Sequence, residues 1–256
     1  MSIQAHDLSL LRTGVALLAD IDLVIDPGTI TAVLGPNGAG KTSLLRSLSG
    51  ELAVDGRVTL ENVNIQDWSN AERAKRMAIL PQHSLLDFPF TAQEVVMLGR
   101  MPHDSGAEAD RAIVKAALAL VDCDYLAKRE YTRLSGGEKQ RVHFARVLAQ
   151  IWEPMTSGDR FLLLDEPTAS FDLAHQSMAV DIVHRLRDDG VGVMIILHDL
   201  NLAARCADQI VLMQCGRVHV SGPPVDVLTP QTVRDVFQVD VEIDQHPHAG
   251  TPLVIV

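Results

Sequence analysis

Residues 30–50 read ITAVLGPNGAGKTSLLRSLSG, and this stretch decides the architecture. Residues 30–34 are an unbroken apolar run, which predicts a buried strand. Residues 35–42, GPNGAGKT, fit the pattern G-x-x-x-x-G-K-[ST]. Residues 43–50 place apolar side chains at helical spacing, and Gly50 stands where a helix would stop. Strand, glycine loop and helix in that order form a phosphate cradle. Glycines at 35, 38 and 40 let the backbone curl so that its N–H groups point inward, and the helix adds its N-terminal partial charge. Lys41 has the reach for β- and γ-phosphates, and Thr42 the hydroxyl for Mg²⁺.

Working outward, Asp26-Pro27-Gly28 signals a turn before the first buried strand. Residues 57–65, RVTLENVNI, alternate as one strand should, and 77–83, MAILPQH, form a short strand running into a loop. Ser69 and Glu72 make a capping box opening a helix over 70–77. The character then changes. A second box at Thr91 and Glu94, an apolar stripe at Ile113, Val114, Ala117, Leu118 and Val121, and a third box at Ser135 and Glu138 predict helices through Leu148. Residues 153–160 read as a surface loop. Strands return at 161–164 and 191–197, with helices over 174–187 and 201–206, a hairpin around Cys215-Gly216, and a last helix capped by Thr229-Pro230. Strands alternating with helices predict a largely parallel α/β sheet into which a helical block is inserted.

Two further segments carry chemistry. FLLLDE at 161–166 is a buried strand ending in two acids: Asp165 suits Mg²⁺ held through water, and Glu166 suits polarising an attacking water. In LSGGEKQR, residues 134–141, Ser135 caps a helix whose first turn contains Gly136 and Gly137. Two glycines there cost helix stability, so close approach of another group is the better explanation, and a γ-phosphate suits that end.

Together these motifs resemble the ATP-binding cassette ATPases, in an order that covers about residues 3–238. GPNGAGKT matches the Walker A motif, extending through Gly35, Pro36, Asn37, Gly38, Ala39, Gly40, Lys41, Thr42 and Ser43 as the ATP-binding segment. Gln82 matches the Q-loop, LSGGEKQR the signature, LLLDEPT the Walker B motif, Ser170-Phe171-Asp172 the D-loop, and His198 in LHDL the switch histidine. The resemblance implies a P-loop NTPase core with a parallel sheet, an N-terminal antiparallel β subdomain and an inserted helical subdomain. A single cassette of 1–256 would then divide into a core, 1–84 and 153–256, and a helical part, 85–152. It also implies ATP and Mg²⁺ as cofactors, with Thr42, Gln82 and water-bridged Asp165 at the metal. Glu166, His198 and Gln82 are the implied catalytic set. A head-to-tail homodimer would place each ATP between one Walker A and the partner's Ser135, Gly136, Gly137 and Asp172. The family usually stacks an N-terminal aromatic ring on adenine. Here the first aromatic residue is Trp68, so aliphatic contact and the Arg12 guanidinium within residues 10–14 are expected to serve instead.

FPFTAQEVVMLGRMPH at 88–103 and the run at 122–154 are similar to ATPase subunits of importers of iron chelates, vitamin B12 and heme, and most of all to those importing hemin. That likeness implies two membrane permease subunits, a periplasmic hemin-binding protein acting indirectly, and a place at the cytoplasmic face of a bacterial inner membrane. The alternatives are the same role for an iron-siderophore or vitamin B12, or a soluble non-transport cassette.

The chain's 256 residues suffice for one or two domains. Its net charge of −11 argues against nucleic acid as a partner. The acidity is uneven: 35–50 carry Lys41 and Arg46 and no acid, and 134–146 carry Lys139, Arg141 and Arg146 against Glu138. These two positive spots coincide with the segments expected to clamp phosphates. Cys123, Cys206 and Cys215 are expected to be small buried hydrophobes in a reducing compartment. No secretory signal is expected in MSIQAHDLSLL, and no apolar stretch approaches the roughly 20 residues of a spanning helix. His246-Pro247-His248 reads as a polar surface turn.

Overall fold

The computed structural model describes residues 2–82 and 86–256, so the expected subdomain boundary at 84/85 lies outside the described residues. The chain opens with β1 (Ile3–Arg12) and β2 (Val15–Ile25), then β3 (Ile30–Leu34), α1 (Lys41–Leu48), β4 (Asp55–Leu60), β5 (Val63–Asn64), α2 (Asn70–Arg76) and β6 (Met77–Leu80). Helices α3 (Ala92–Met97), α4 (Ala107–Leu120) and α5 (Gly136–Gln150) follow. Next come β7 (Phe161–Asp165), α6 (Leu173–Asp188), β8 (Gly192–Ile196), α7 (Leu200–Cys206), β9 (Gln209–Gln214) and β10 (Arg217–Gly222). The chain closes with α8 (Pro224–Val227), α9 (Pro230–Phe237), β11 (Glu242–Gln245) and β12 (Pro252–Ile255).

The central sheet runs β10-β9-β3-β8-β7-β6, parallel except for β10, and a separate antiparallel sheet runs β2-β1-β4-β5. The unbroken apolar strands are explained by burial on both faces. Alternate residues of β3 and β7 enter different cores. Ile30, Ala32, Leu34, Leu162 and Leu164 join the core shared with α3 to α7, while Val33, Phe161 and Leu163 join the core shared with α1 and the antiparallel sheet.

The inserted helices are tied to the main core rather than appended to it. Gly99 lets the chain after α3 lie against α5, since a Cβ there would sit 2.2 Å from the Arg146 carbonyl oxygen. Arg100, fully buried, donates to Asp110 at 2.8 Å, to Glu153 at 2.7 Å and to the Ala149 carbonyl at 2.8 Å. One guanidinium thus pins the start of α4 and the loop after α5.

Three expectations need correcting. Residues 57–65 are not one strand: Glu61 and Asn62 both adopt left-handed backbone (φ 54° and 64°), which folds the segment into the β4–β5 hairpin. Cys215 is exposed in the β9–β10 turn, at φ 48°, while Cys123 and Cys206 are buried. The C-terminal hairpin β11–β12 was not anticipated; residues 246–248 open its connection, which spans 246–251. It docks by Asn201, whose side-chain amide bonds both the N–H (2.7 Å) and the carbonyl (3.0 Å) of Val254, as a neighbouring strand would.

The close α5 contact makes a direct prediction. Gly99→Ala should lower unfolding stability by about 1–3 kcal/mol through overpacking, read as a shift of the urea midpoint.

Candidate functional site

The C-terminal ends of neighbouring strands converge on one edge of the central sheet. β3 delivers the 35–42 loop, β7 delivers Asp165 and Glu166, β8 leads to His198 two residues past its end, and β6 leads to Gln82. This is where parallel α/β sheets bind ligands.

The glycines of the loop serve different ends. A Cβ on Gly35 would meet the Met213 carbonyl oxygen at 2.2 Å, so Gly35 lets the loop pass over β9. Gly38, at φ 81°, has open space where a Cβ would be, and that opening is the face a phosphate would use. Gly40 is the N-cap of α1 and carries no side chain to satisfy the first N–H groups, which remain available to an anion. The loop is braced from behind. The Gly216 N–H donates to the Ala39 carbonyl at 3.0 Å, and the Gly216 carbonyl accepts from the Ala19 N–H at 2.9 Å. Sequence reading found the Cys215-Gly216 turn but gave no sign that it supports the loop.

Lys41 is buried, and its ammonium donates to the carbonyls of Gly35 (2.7 Å) and Pro36 (3.2 Å). Burial lowers its pKa, with Glu166 and Asp165 pulling the other way. Asp165 is 1% exposed, and among the described residues its Oδ1 has no hydrogen-bond partner. Burial raises the Asp165 pKa, and a hydrogen bond from Thr42 lowers it; Glu166 adds to the rise and Lys41 opposes it. A buried carboxylate oxygen with no partner, beside a threonine hydroxyl, fits a hydrated divalent cation.

Glu166 is held at both oxygens. Gln82 donates to Oε2 at 2.8 Å and His198 donates from Nε2 to Oε1 at 2.5 Å. His198 therefore carries its proton on Nε2. Glu166 also adopts left-handed backbone, φ 51°, a conformation that costs a bulky residue about 1–3 kcal/mol. Nothing in the sequence signals that conformation.

The structure thus brings Lys41, Thr42, Gln82, Asp165, Glu166 and His198 to one place. Ser135, Gly136 and Gly137 form a second locus at the start of α5. Ser135 Oγ accepts from the Glu138 N–H (3.3 Å) and Glu138 accepts from the Ser135 N–H (2.7 Å), a complete capping box. Among the described residues no hydrogen bond joins this end to the 35–42 loop. Asp172 caps α6, accepting from the His175 N–H at 2.9 Å.

The positive spots read from the sequence dissolve into local pairs. Arg46 bonds Glu51 at 3.1 Å, Lys139 lies over the Tyr131 ring at 5.4 Å, and Arg146 donates to the Ile79 carbonyl at 3.4 Å. Lys41 alone of these cations lies in the loop. Charge counted along the chain cannot show where long side chains end. Residues 10–12 close β1, Thr13 and Gly14 form the β1–β2 turn at φ 49° and 80°, and apolar Leu11 and Val15 are exposed beside it.

Fold and site define a P-loop nucleotide-binding protein. Residues 18–169 match the ABC transporter family. Over 254 residues the chain is 50% identical to the hemin import ATP-binding protein HmuV of Pseudomonas fluorescens strain Pf-5, covering 99% of both chains. It is 47% identical to the HmuV of Myxococcus xanthus, covering 100% of this chain and 97% of the relative. Its backbone superposes with TM-score 0.79 on the ATP-binding subunit of an ABC transporter (22% identity, 94% and 95% of the two chains). It superposes with TM-score 0.77 on a dimeric ATP-binding cassette bound to ADP and Pi after hydrolysis (24% identity, 86% and 98%). The chain belongs to the ABC transporter family and is its ATP-hydrolysing cassette.

The buried carboxylate gives a stability test. The folded Asp165 pKa is raised, so the unfolded chain releases this proton first, and the group destabilises the nucleotide-free fold increasingly as pH climbs through the carboxylate range. Asp165→Asn should raise the urea midpoint at pH 7, and the gain should shrink toward pH ~3.9. Equal midpoints for both proteins at pH 7 would contradict the burial argument.

Proposed function

We propose that this cassette energises uptake of hemin through a membrane permease. The observation that carries the reading is the convergence of Gln82, Glu166 and His198 beside the 35–42 loop, in a chain half identical to HmuV proteins along its whole length. In this reading the N–H groups of Gly35 to Thr42 and Ser43, with Lys41, hold the ATP phosphates. Thr42, Gln82 and, through water, Asp165 hold Mg²⁺, which neutralises phosphate charge when bound. Glu166 accepts a proton from the attacking water, and His198 fixes its orientation and contacts the γ-phosphate. Gln82 reports on the site to the helical part, residues 85–152, against a core of 1–84 and 153–256.

The start of α5 supports a homodimer, because among the described residues Ser135, Gly136 and Gly137 have no bond to this chain's own loop and nothing lies within 4 Å of a Cβ position on Gly136. Each ATP would lie between one loop and the partner's signature and Asp172. Two permease subunits, fed by a periplasmic hemin-binding protein, would hold the dimer at the cytoplasmic face of the inner membrane. Among the described residues no helix is long and apolar enough to cross a membrane. The exposed Leu11 and Val15 offer aliphatic surface to adenine in place of a ring.

Glu166→Gln should retain ATP binding and lose about 10²–10⁴-fold in hydrolysis, measured as phosphate release. Hemin import itself is tested by co-purifying the permease and reconstituting it with the binding protein. Hemin should stimulate ATP hydrolysis, and a complex stimulated instead by a siderophore or vitamin B12 would reassign the cargo.

A further inference from the structure

We propose that His175 is a positioning residue that locks the 170–172 segment to the signature helix α5, through a hydrogen bond that only its neutral ring can make. The inference rests on the cassette reading above for its consequence, but not for its geometry.

Arg141 lies in the second turn of α5, buried, and its Nη1 is hydrogen-bonded to His175 Nε2. A guanidinium has donors only, so Nε2 must be bare to accept. The other ring nitrogen, Nδ1, lies 2.7 Å from Asp172 Oδ1 and therefore carries the proton. Two partners thus fix one tautomer, Nδ1–H. The ring cannot swing away freely, because the same Asp172 oxygen accepts the His175 backbone N–H at 2.9 Å. A second contact joins the same two elements one turn earlier. Gly137 faces Ser170, and a Cβ on Gly137 would stand 3.1 Å from the Ser170 carbonyl oxygen. The first two turns of α5 therefore touch residues 170–175 at two points, Gly137 on Ser170 and Arg141 on His175.

The groups around the ring come from each packed element. Arg141 faces it from α5 and Asp172 from the N-cap of its own helix. Asp122, in the turn after α4, has Oδ2 3.9 Å from both His175 Nε2 and Arg141 Nη1. The Phe171 ring lies 6.2 Å away, and the Tyr125 hydroxyl accepts from Arg141 at 3.4 Å. Removing the ring takes the acceptor from Arg141 and the side-chain donor from Asp172, which loosens α5 from residues 170–172 at that point. In the dimer both segments act on the partner's nucleotide, so lost register lowers turnover, whereas the 35–42 loop keeps its hold on ATP.

The test compares wild type, His175→Gln and His175→Ala as full chains. Glutamine can accept from Arg141 and donate to Asp172. The kcat of His175→Gln should stay within about twofold of wild type at pH 8. His175→Ala should lose about tenfold in kcat at pH 8 with KM for ATP little changed. A glutamine variant as slow as the alanine variant, or an alanine variant as fast as wild type, overturns the proposal. ¹⁵N-histidine NMR of the nucleotide-free chain reads the link without hydrolysis. The Nδ1–H tautomer should hold at pH 8 and be lost in Arg141→Met. An Nε2–H tautomer at pH 8 overturns the link. The Nδ1–H tautomer in a chain that hydrolyses no ATP upholds the link and overturns the ATPase reading instead.

Discussion

Two opposite charges, Lys41 and Asp165, are buried at the same edge of the central sheet and form no direct ion pair among the described residues. Lys41 is satisfied by loop carbonyls, while one oxygen of Asp165 has no hydrogen-bond partner among those residues. A fold tolerates an unpartnered buried carboxylate oxygen only when the surroundings are strong enough to hold it. Here those surroundings are β3, β7 and β8, buried along their whole length, with large apolar cores on both faces. The architecture can thus be understood as what is needed to keep one lysine and one aspartate dry, near each other and apart.

The same constraint explains why the chemistry comes from distant parts of the sequence. Parallel strands put their C-terminal ends on one edge, and in the sheet order β3-β8-β7-β6 every strand supplies something there. Lys41 and Thr42, His198, Asp165 with Glu166, and Gln82 follow from that order alone. Their spacing in the sequence is then a record of how long each crossover must be.

The legible parts of the sequence were those where a short pattern determines local geometry. GPNGAGKT, three of the helix caps and the buried strands at 30–34 and 161–164 needed no tertiary information, because the backbone requirement and the residue type coincide. The parts that misled depend on a third dimension. The alternation of 57–65 is that of a strand on either side of Glu61-Asn62, and only the left-handed backbone of that pair divides it. Arg46 counted as a phosphate cation until Glu51 took it. The brace from Gly216 to the 35–42 loop joins residues far apart in the chain and leaves no local pattern. The Asn201 clamp on Val254 is of the same kind, two residues that look unremarkable singly.

Glu166 shows how the site combines these levels. Its backbone is strained, and each of its oxygens is bonded by a side chain from the loop after another strand, Gln82 after β6 and His198 after β8. Each oxygen keeps a second lone pair, so the two bonds fix the direction the carboxylate faces without using up its acceptor capacity. Gln82 hangs between the sheet edge and the inserted helices, and His198 directly precedes the cap of α7, which is clamped in turn by the C-terminal hairpin. The direction Glu166 faces is therefore set by elements that lead away from the 35–42 loop, and a shift in either would turn the carboxylate.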